Sequence, residues 1–262
     1  MIQKIVLAAL GICLPLGLIA GDVTTGVVEK TISNGSQSSL SRIHYAHYIV
    51  DESMPAYQRT VNEIVSMGVQ VSAEGEPKGT YRIDRSYFQQ VLSDVDSRFK
   101  EYVSSANDVN EAPWTLIDSS YIEDDVMLND MSTNMIQLYR THYEFTGGAH
   151  GNSWTSVTHV SKKTGKKLSV LGDIIVNEKE FVRIAEKYFR KQRKLGPKAS
   201  LRKAGYDMDG GDAFVISENV MFTDDSLVLI YNPYEIGPYV MGEIRVAIPL
   251  KDVEKIIDTA AD

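Results

Sequence analysis

The chain has 262 residues, 43% of them hydrophobic and 24% charged, with a formal net charge of −8. That length and balance allow a sizeable core, in one large domain or two small ones, and exclude a disordered chain. The excess of acidic residues disfavours nucleic acid as the main partner.

From Ile5 to Ile19 the sequence is uncharged and apolar, with Lys4 before it and Ala20, Gly21 and the acidic Asp22 after it. We read residues 1–21 as an export signal. Retention as an N-terminal anchor is the alternative, although the run is short for a membrane span and contains Pro15. Cleaved, it leaves a periplasmic or envelope-associated protein whose only route to the membrane has been removed. Cys13 is the single cysteine, and Ile12 stands where a lipobox needs a small residue. A mature chain lacking Cys13 has no disulfide, no thiol nucleophile and no cysteine-ligated zinc.

The remainder divides into an expected N-terminal α+β domain over 22–150 and a C-terminal one over 151–262, with the alternative that strands on either side complete one sheet. Thr25 to Ser33 alternates weakly as a strand, a Gly/Ser turn follows, and Arg42 to Val50 is a second strand rich in β-formers. His44 and His47 have opposite parity there, so one strand cannot aim both at one metal. Ser53 is expected to cap a helix with Pro55 in its first turn and Tyr57, Val61, Ile64 and Val65 on its apolar stripe. A longer helix is expected from Asp84 to Val103, with Tyr87, Phe88, Val91, Leu92, Val95 and Phe99 facing a core.

Trp114 to Asp125 and Val126 to Leu128 lead into a strand from Met135 to Phe145. Its odd positions Met135, Tyr139, Thr141, Tyr143 and Phe145 share one face, and Arg140, His142 and Glu144 the other, as in a half-buried strand. Gly147, Gly148 and Gly151 then permit a sharp corner that presents His150. Beyond it come a strand over Ser153 to Val160, a turn at Lys162 to Gly165, and a third helix over Glu178 to Lys194 with Phe181, Ile184, Ala185 and Tyr188 buried. Cations crowd that helix's last turns, where they complement the macrodipole. His142, His150 and His159 lie on neighbouring elements without an acidic zinc-site signature. Asp207 to Glu218 departs from a calcium loop at Gly211 and Asp212. Neither pattern implies a metal, and no cofactor is expected.

Leu227 to Tyr231 is apolar without alternation, so a strand covered on both faces is expected. Asn232-Pro-Tyr-Glu-Ile-Gly-Pro-Tyr239 is a loop stiffened by Pro233 and Pro238, which holds Tyr234, Glu235 and Tyr239 in place. A last strand runs over Gly242 to Ile248, and a short terminal helix over Leu250 to Ile257. The expected class is therefore α+β, with a mostly antiparallel sheet, three main helices and a short C-terminal helix.

The Tyr143-Glu-Phe-Thr-Gly-Gly-Ala-His-Gly151 corner, the Lys163 to Val170 turn, the Asn219 to Tyr231 hairpin and the Tyr231-Asn-Pro-Tyr-Glu-Ile-Gly-Pro-Tyr239 loop resemble one bacterial envelope family of unknown function. Its domains form the extracellular part of RsiV-type lysozyme-sensing anti-sigma factors and accompany PdaC-type peptidoglycan deacetylases. The resemblance implies an exported α+β fold without assigning an active site. Neither a sigma-binding region nor a deacetylase domain is recognisable in the sequence. On this reading the chain is a non-catalytic envelope binding module for a lysozyme-type protein or a cell-wall glycan. Its candidate ligand-binding residues are Gly147, Gly148, His150, Tyr231, Asn232, Tyr234, Glu235 and Tyr239. The alternative is an envelope hydrolase with His150 as general base, paired with Glu144, His142 or Asp118.

Overall fold

The computed structural model describes residues 23–34, 37–48, 54–70, 97, 115–123, 126–128, 131–145 and 149–258. A six-stranded sheet draws its strands from Val23 to Leu168. It comprises β1 (Val23–Asn34), β2 (Gln37–Tyr48), β3 (Thr115–Glu123), β6 (Met135–Phe145), β7 (Asn152–Ser161) and β8 (Lys167–Leu168), in the order β1-β2-β3-β6-β7-β8. Neighbours pair antiparallel except β2 and β3, which are parallel. The short β4 (Met127–Leu128) and β5 (Met131–Ser132) form a separate two-stranded ladder. A three-stranded antiparallel sheet follows, with β10 (Ser226–Tyr231) between β9 (Val220–Phe222) and β11 (Ile244–Pro249). β6 and β7 lie on either side of residue 150 and pair along their length, from Met135↔Ser161 to Glu144↔Asn152.

The two described α-helices close the stack. α1 (Ala56–Gln70) starts where Arg59 N donates to the Pro55 carbonyl at 3.2 Å, and lays Val61 and Val65 on Ile43, Tyr45, Ile136, Leu138 and Val160. Thr60 Oγ1 ties it to the Gly165 carbonyl at 2.7 Å, and Gly165 must stay small, since a Cβ there would sit 2.9 Å from that of Ala56. α2 (Glu178–Gln192) is capped by the Asn177 side chain, which accepts from Glu180 N at 3.2 Å, and carries Glu178 and Glu180 in its first turn. It buries Phe181, Ile184, Ala185 and Phe189, with Tyr188 only partly covered.

The sequence of burial gives the layers. Ile136 and Leu138 face α1, while Tyr139 and Val157 on the opposite face meet Met221, Val228 and Ile230 of the second sheet. The other face of that sheet, with Phe222, Leu227, Leu229 and Tyr231, joins the α2 core. β10 is thus covered on both sides, as its unbroken apolar run requires. The Met135–Tyr139 part of β6 is also buried on both faces, so it is not the half-buried strand expected from alternation.

The expected count of three main helices and a short C-terminal helix is corrected: two α-helices and three single-turn 3-10 helices stand among the described residues. The helix expected from Asp84 lies, Ser97 apart, outside the described residues, as does the Ser53 cap. The expected terminal helix is instead two 3-10 turns, Leu250–Asp252 and Glu254–Ile256, separated at Val253 with φ −124. Its buried side chains Leu250, Val253 and Ile256 recur every three residues. A spacing of three makes one straight stripe on a 3-10 helix and drifts off the face of an α-helix.

Candidate functional site

β8 covers β7 only at His159 and Val160, which leaves backbone groups of the preceding residues facing outward. Two asparagines from the second half close that edge. Asn232 Oδ1 accepts from Thr155 N at 2.6 Å while its Nδ2 donates to the Thr155 carbonyl at 3.0 Å. Asn219 accepts from Val157 N at 3.3 Å and donates to the same Thr155 carbonyl at 3.0 Å. A side-chain amide offers one donor and one acceptor in the geometry of a peptide group, so it extends the ladder without a strand. Thr155 Oγ1 further donates to Glu243 Oε2 at 2.5 Å, and Glu243 receives Arg245 Nε, whose Nη2 donates to the Tyr139 hydroxyl at 3.0 Å.

This seam fixes the loop that follows β10. Glu235 N donates to the Asn232 carbonyl at 3.0 Å, and the Glu235 carboxylate accepts from Asn232 N at 2.7 Å. With Pro233 second and Tyr234 third at φ 70, these four residues have the pattern of a type II turn. Glycine is usual at that third position, and a tyrosine there stores backbone strain. The turn projects Tyr234 outward, 61% exposed.

Tyr234 meets the histidine corner. The His150 ring stacks on Tyr239 at 3.8 Å between centroids and 12° between planes, and Tyr234 tilts against Tyr239 at 5.5 Å. The Tyr234 hydroxyl lies 3.4 Å from His150 Nε2. His150 Nδ1 is 3.1 Å from the Gly151 carbonyl, which also accepts from the Tyr239 hydroxyl at 2.8 Å. Gly151 carries the close approach expected of a corner glycine: a Cβ there would lie 2.5 Å from the Tyr143 hydroxyl oxygen. The three rings form one exposed aromatic corner, held by backbone hydrogen bonds.

The structure therefore brings His150, Tyr234 and Tyr239 together, with Glu235 exposed beside them in the turn. Asn232 serves the sheet edge. Tyr231 lies in the core, 1% exposed, with its hydroxyl donating to the Val215 carbonyl at 2.7 Å; burial raises its pKa. Gly147 and Gly148 lie outside the described residues. The hydrogen bonds of His150 go to a carbonyl and a phenol. His142 stacks on Trp154 at 3.7 Å, with Nε2 3.7 Å from Glu144 Oε2, on the α1 side of the sheet. His159 faces the opposite side, beside Gln137, so these two imidazoles do not converge. The Asp118 side chain lies outside the described residues. Among the described residues no group of three or more His, Cys, Asp or Glu is placed to hold a metal. Asp207 and Asp212 instead accept backbone N–H groups of Gly210 and Arg202, each at 2.9 Å.

Sequence reasoning missed Asn219, Glu243, Arg245 and Gln137, which join the two sheets. No local pattern marks them, because their partners are distant in the chain.

Layered sheets and a surface aromatic corner define the class of protein: an α+β chain whose second half supplies the loop of the corner. Residues 172–251, spanning α2, β9, β10 and β11, match the family described as "Protein of unknown function (DUF3298)". A DUF3298 family member from Bacteroides fragilis has a similar structure, with TM-score 0.62 and 16% identity over 90% of this chain and 93% of that one. A DUF3298 family protein from Pseudomonas aeruginosa is similar with TM-score 0.58 and 18% identity over 90% and 94%. At such identities the likeness establishes a shared fold. No match was found among curated proteins.

Proposed function

We propose that this chain is an exported, non-catalytic recognition module of the cell envelope, using the His150–Tyr234–Tyr239 corner to hold a lysozyme-type protein or a cell-wall glycan. Residues 1–21 would direct the export. The observation that carries the reading is the strained, exposed Tyr234 beside a stacked His150–Tyr239 pair. Strain held in place by surrounding hydrogen bonds is a mark of binding sites, and rigid aromatic faces contact sugars or fill a partner's pocket at low entropic cost. His150 Nδ1 lies 3.1 Å from the Gly151 carbonyl and Nε2 3.4 Å from the Tyr234 hydroxyl, contacts that hold the ring in place within the aromatic surface. The RsiV-type and PdaC-type resemblance points to the same two ligand classes.

The test is saturable binding of the purified chain to immobilised lysozyme and, separately, to purified peptidoglycan, beside Tyr234→Ala and Tyr239→Ala variants checked for folding by circular dichroism. Binding to one ligand, weakened in a folded variant by about 2 kcal/mol or more, supports the proposal and identifies the class. No saturable binding to either overturns it.

A further inference from the structure

Charge is distributed unevenly over the molecule. Residues 178–203, comprising α2 and the loop after it, hold ten Lys and Arg against three Glu, a net charge of +7 in a chain of net charge −8. Lys179, Arg183, Lys187 and Lys191 follow one another at intervals of four residues and are all exposed. In an α-helix that spacing forms one inclined ridge, advancing about 6 Å along the axis and about 40° around it at each step. Arg183 is paired with Glu180 at 2.6 Å, and Arg190 with Glu186 at 2.7 Å. Lys179, Lys187, Lys191 and Lys194 have no carboxylate within 4.0 Å among the described residues. The macrodipole accounts for cations in the last turn, but not for Lys179 in the first, where a cation is disfavoured.

We propose that this ridge is a docking surface for a linear, base-free phosphodiester polymer of the poly(glycerol phosphate) type. Three observations select that partner. First, the cations are in single file, and the repeat of such a polymer matches them: with six backbone bonds, twice a peptide residue's three, it spans roughly 7 Å when fully extended. Second, an amphipathic helix that lies on a bilayer buries its apolar face in lipid. In α2 that face, Phe181, Ile184, Ala185 and Phe189, is buried in the protein core. Third, single-stranded nucleic acid is held by stacking bases on open aromatic rings. The aromatic ring along the ridge is Tyr188, and Lys187 Nζ and Lys191 Nζ lie 5.5 and 5.9 Å from its centroid, while its hydroxyl is tied to Asp252. The acidic remainder of the chain repels the same polymer, so it confines binding to this face.

The experiment measures binding of the full chain to fluorescent poly(glycerol phosphate) across a salt series. A Lys179→Gln, Lys187→Gln, Lys191→Gln variant is compared with a control altered at the exposed lysines of the β7–β8 turn, Lys163→Gln, Lys166→Gln, Lys167→Gln. We expect saturable binding whose log–log salt slope is about −2 to −3, and a loss of roughly tenfold or more with a shallower slope in the ridge variant alone. All six positions are exposed, so both variants should fold, which circular dichroism checks. The proposal is overturned by absence of binding, by equal loss in the control, or by an unchanged ridge variant. It is overturned equally by anionic phospholipid vesicles or a base-bearing single strand that bind as tightly with the same dependence on the ridge.

Discussion

Two histidines, His159 near the end of β7 and His150 just before its start, stand in opposite circumstances. At one end His159 is 1% exposed, its Nε2 3.3 Å from Gln137 Oε1 and its ring edge-on to Phe222 at 5.4 Å. At the other, His150 is exposed and stacked on Tyr239. The buried end joins two sheets, and its polar groups are there to satisfy one another. The corner uses hydrogen bonds to hold rings open to solvent. The residue type is the same in both places, and burial separates an imidazole that joins two sheets from one open to solvent.

The sharpest way to break the buried end is Gln137→Ala. Gln137 Oε1 accepts from Phe222 N at 2.7 Å and its Nε2 donates to the Phe222 carbonyl at 3.1 Å, replacing a missing strand neighbour. Truncation leaves both buried backbone groups without that partner and opens a cavity, so chemical denaturation should report a loss of about 3–5 kcal/mol. Binding through the corner, measured below the denaturation midpoint, should change little.

His159 supplies the next largest effect. Burial lowers its pKa from 6.5 to about 4. The unfolded chain therefore takes up the proton first as pH falls. The stability belonging to neutral His159 is fully present above about pH 6.5 and is lost progressively down to about pH 4, in total about 3 kcal/mol. Urea denaturation from pH 7.5 to 4 should follow that slope in the parent. A His159→Gln variant, destabilised at neutral pH, should lack this share of the pH dependence; an unchanged slope would assign the titration to another group.

Much of the fold was legible because local pattern and tertiary burial agreed. The α2 stripe through Phe181, Ile184 and Ala185 was readable from spacing, and β10 from its unbroken apolar run. The C-terminal segment misled, because Leu250, Val253 and Ile256 fit an α-helical stripe in a short window and a 3-10 period better. β6 misled because alternation reports a half-buried strand only while one face meets water, and here α1 covers the even face at Ile136 and Leu138 while the second sheet covers the odd one at Tyr139. Of the corner, His150, Tyr234 and Tyr239 were visible through glycine and proline punctuation. The role of the amides that hold it was not: Asn219 is unmarked and Asn232 reads as a ligand contact, yet they reach backbone groups 62 and 77 residues away, and such pairing leaves no periodic trace. Asn62 repeats the device, accepting from Tyr48 N at 2.8 Å and donating to its carbonyl at 3.0 Å.

The smallest expected change in stability separates the two ends most cleanly, because it has the opposite sign. Tyr234 occupies the turn position with φ 70, where glycine is unstrained and a tyrosine is not. Its ring is exposed, so removing it gives up little buried area, although glycine also gains freedom in the unfolded chain. Relief of strain should outweigh that entropy, and Tyr234→Gly should stabilise the chain by about 0.5–1 kcal/mol in thermal or urea denaturation. If the corner is the recognition surface, the same variant loses binding while gaining stability, as expected where strain is retained for contact rather than for folding. A variant that binds as the parent does would remove Tyr234 from the recognition surface. A destabilised one would show that its contacts with His150 and Tyr239 contribute more than the backbone strain costs.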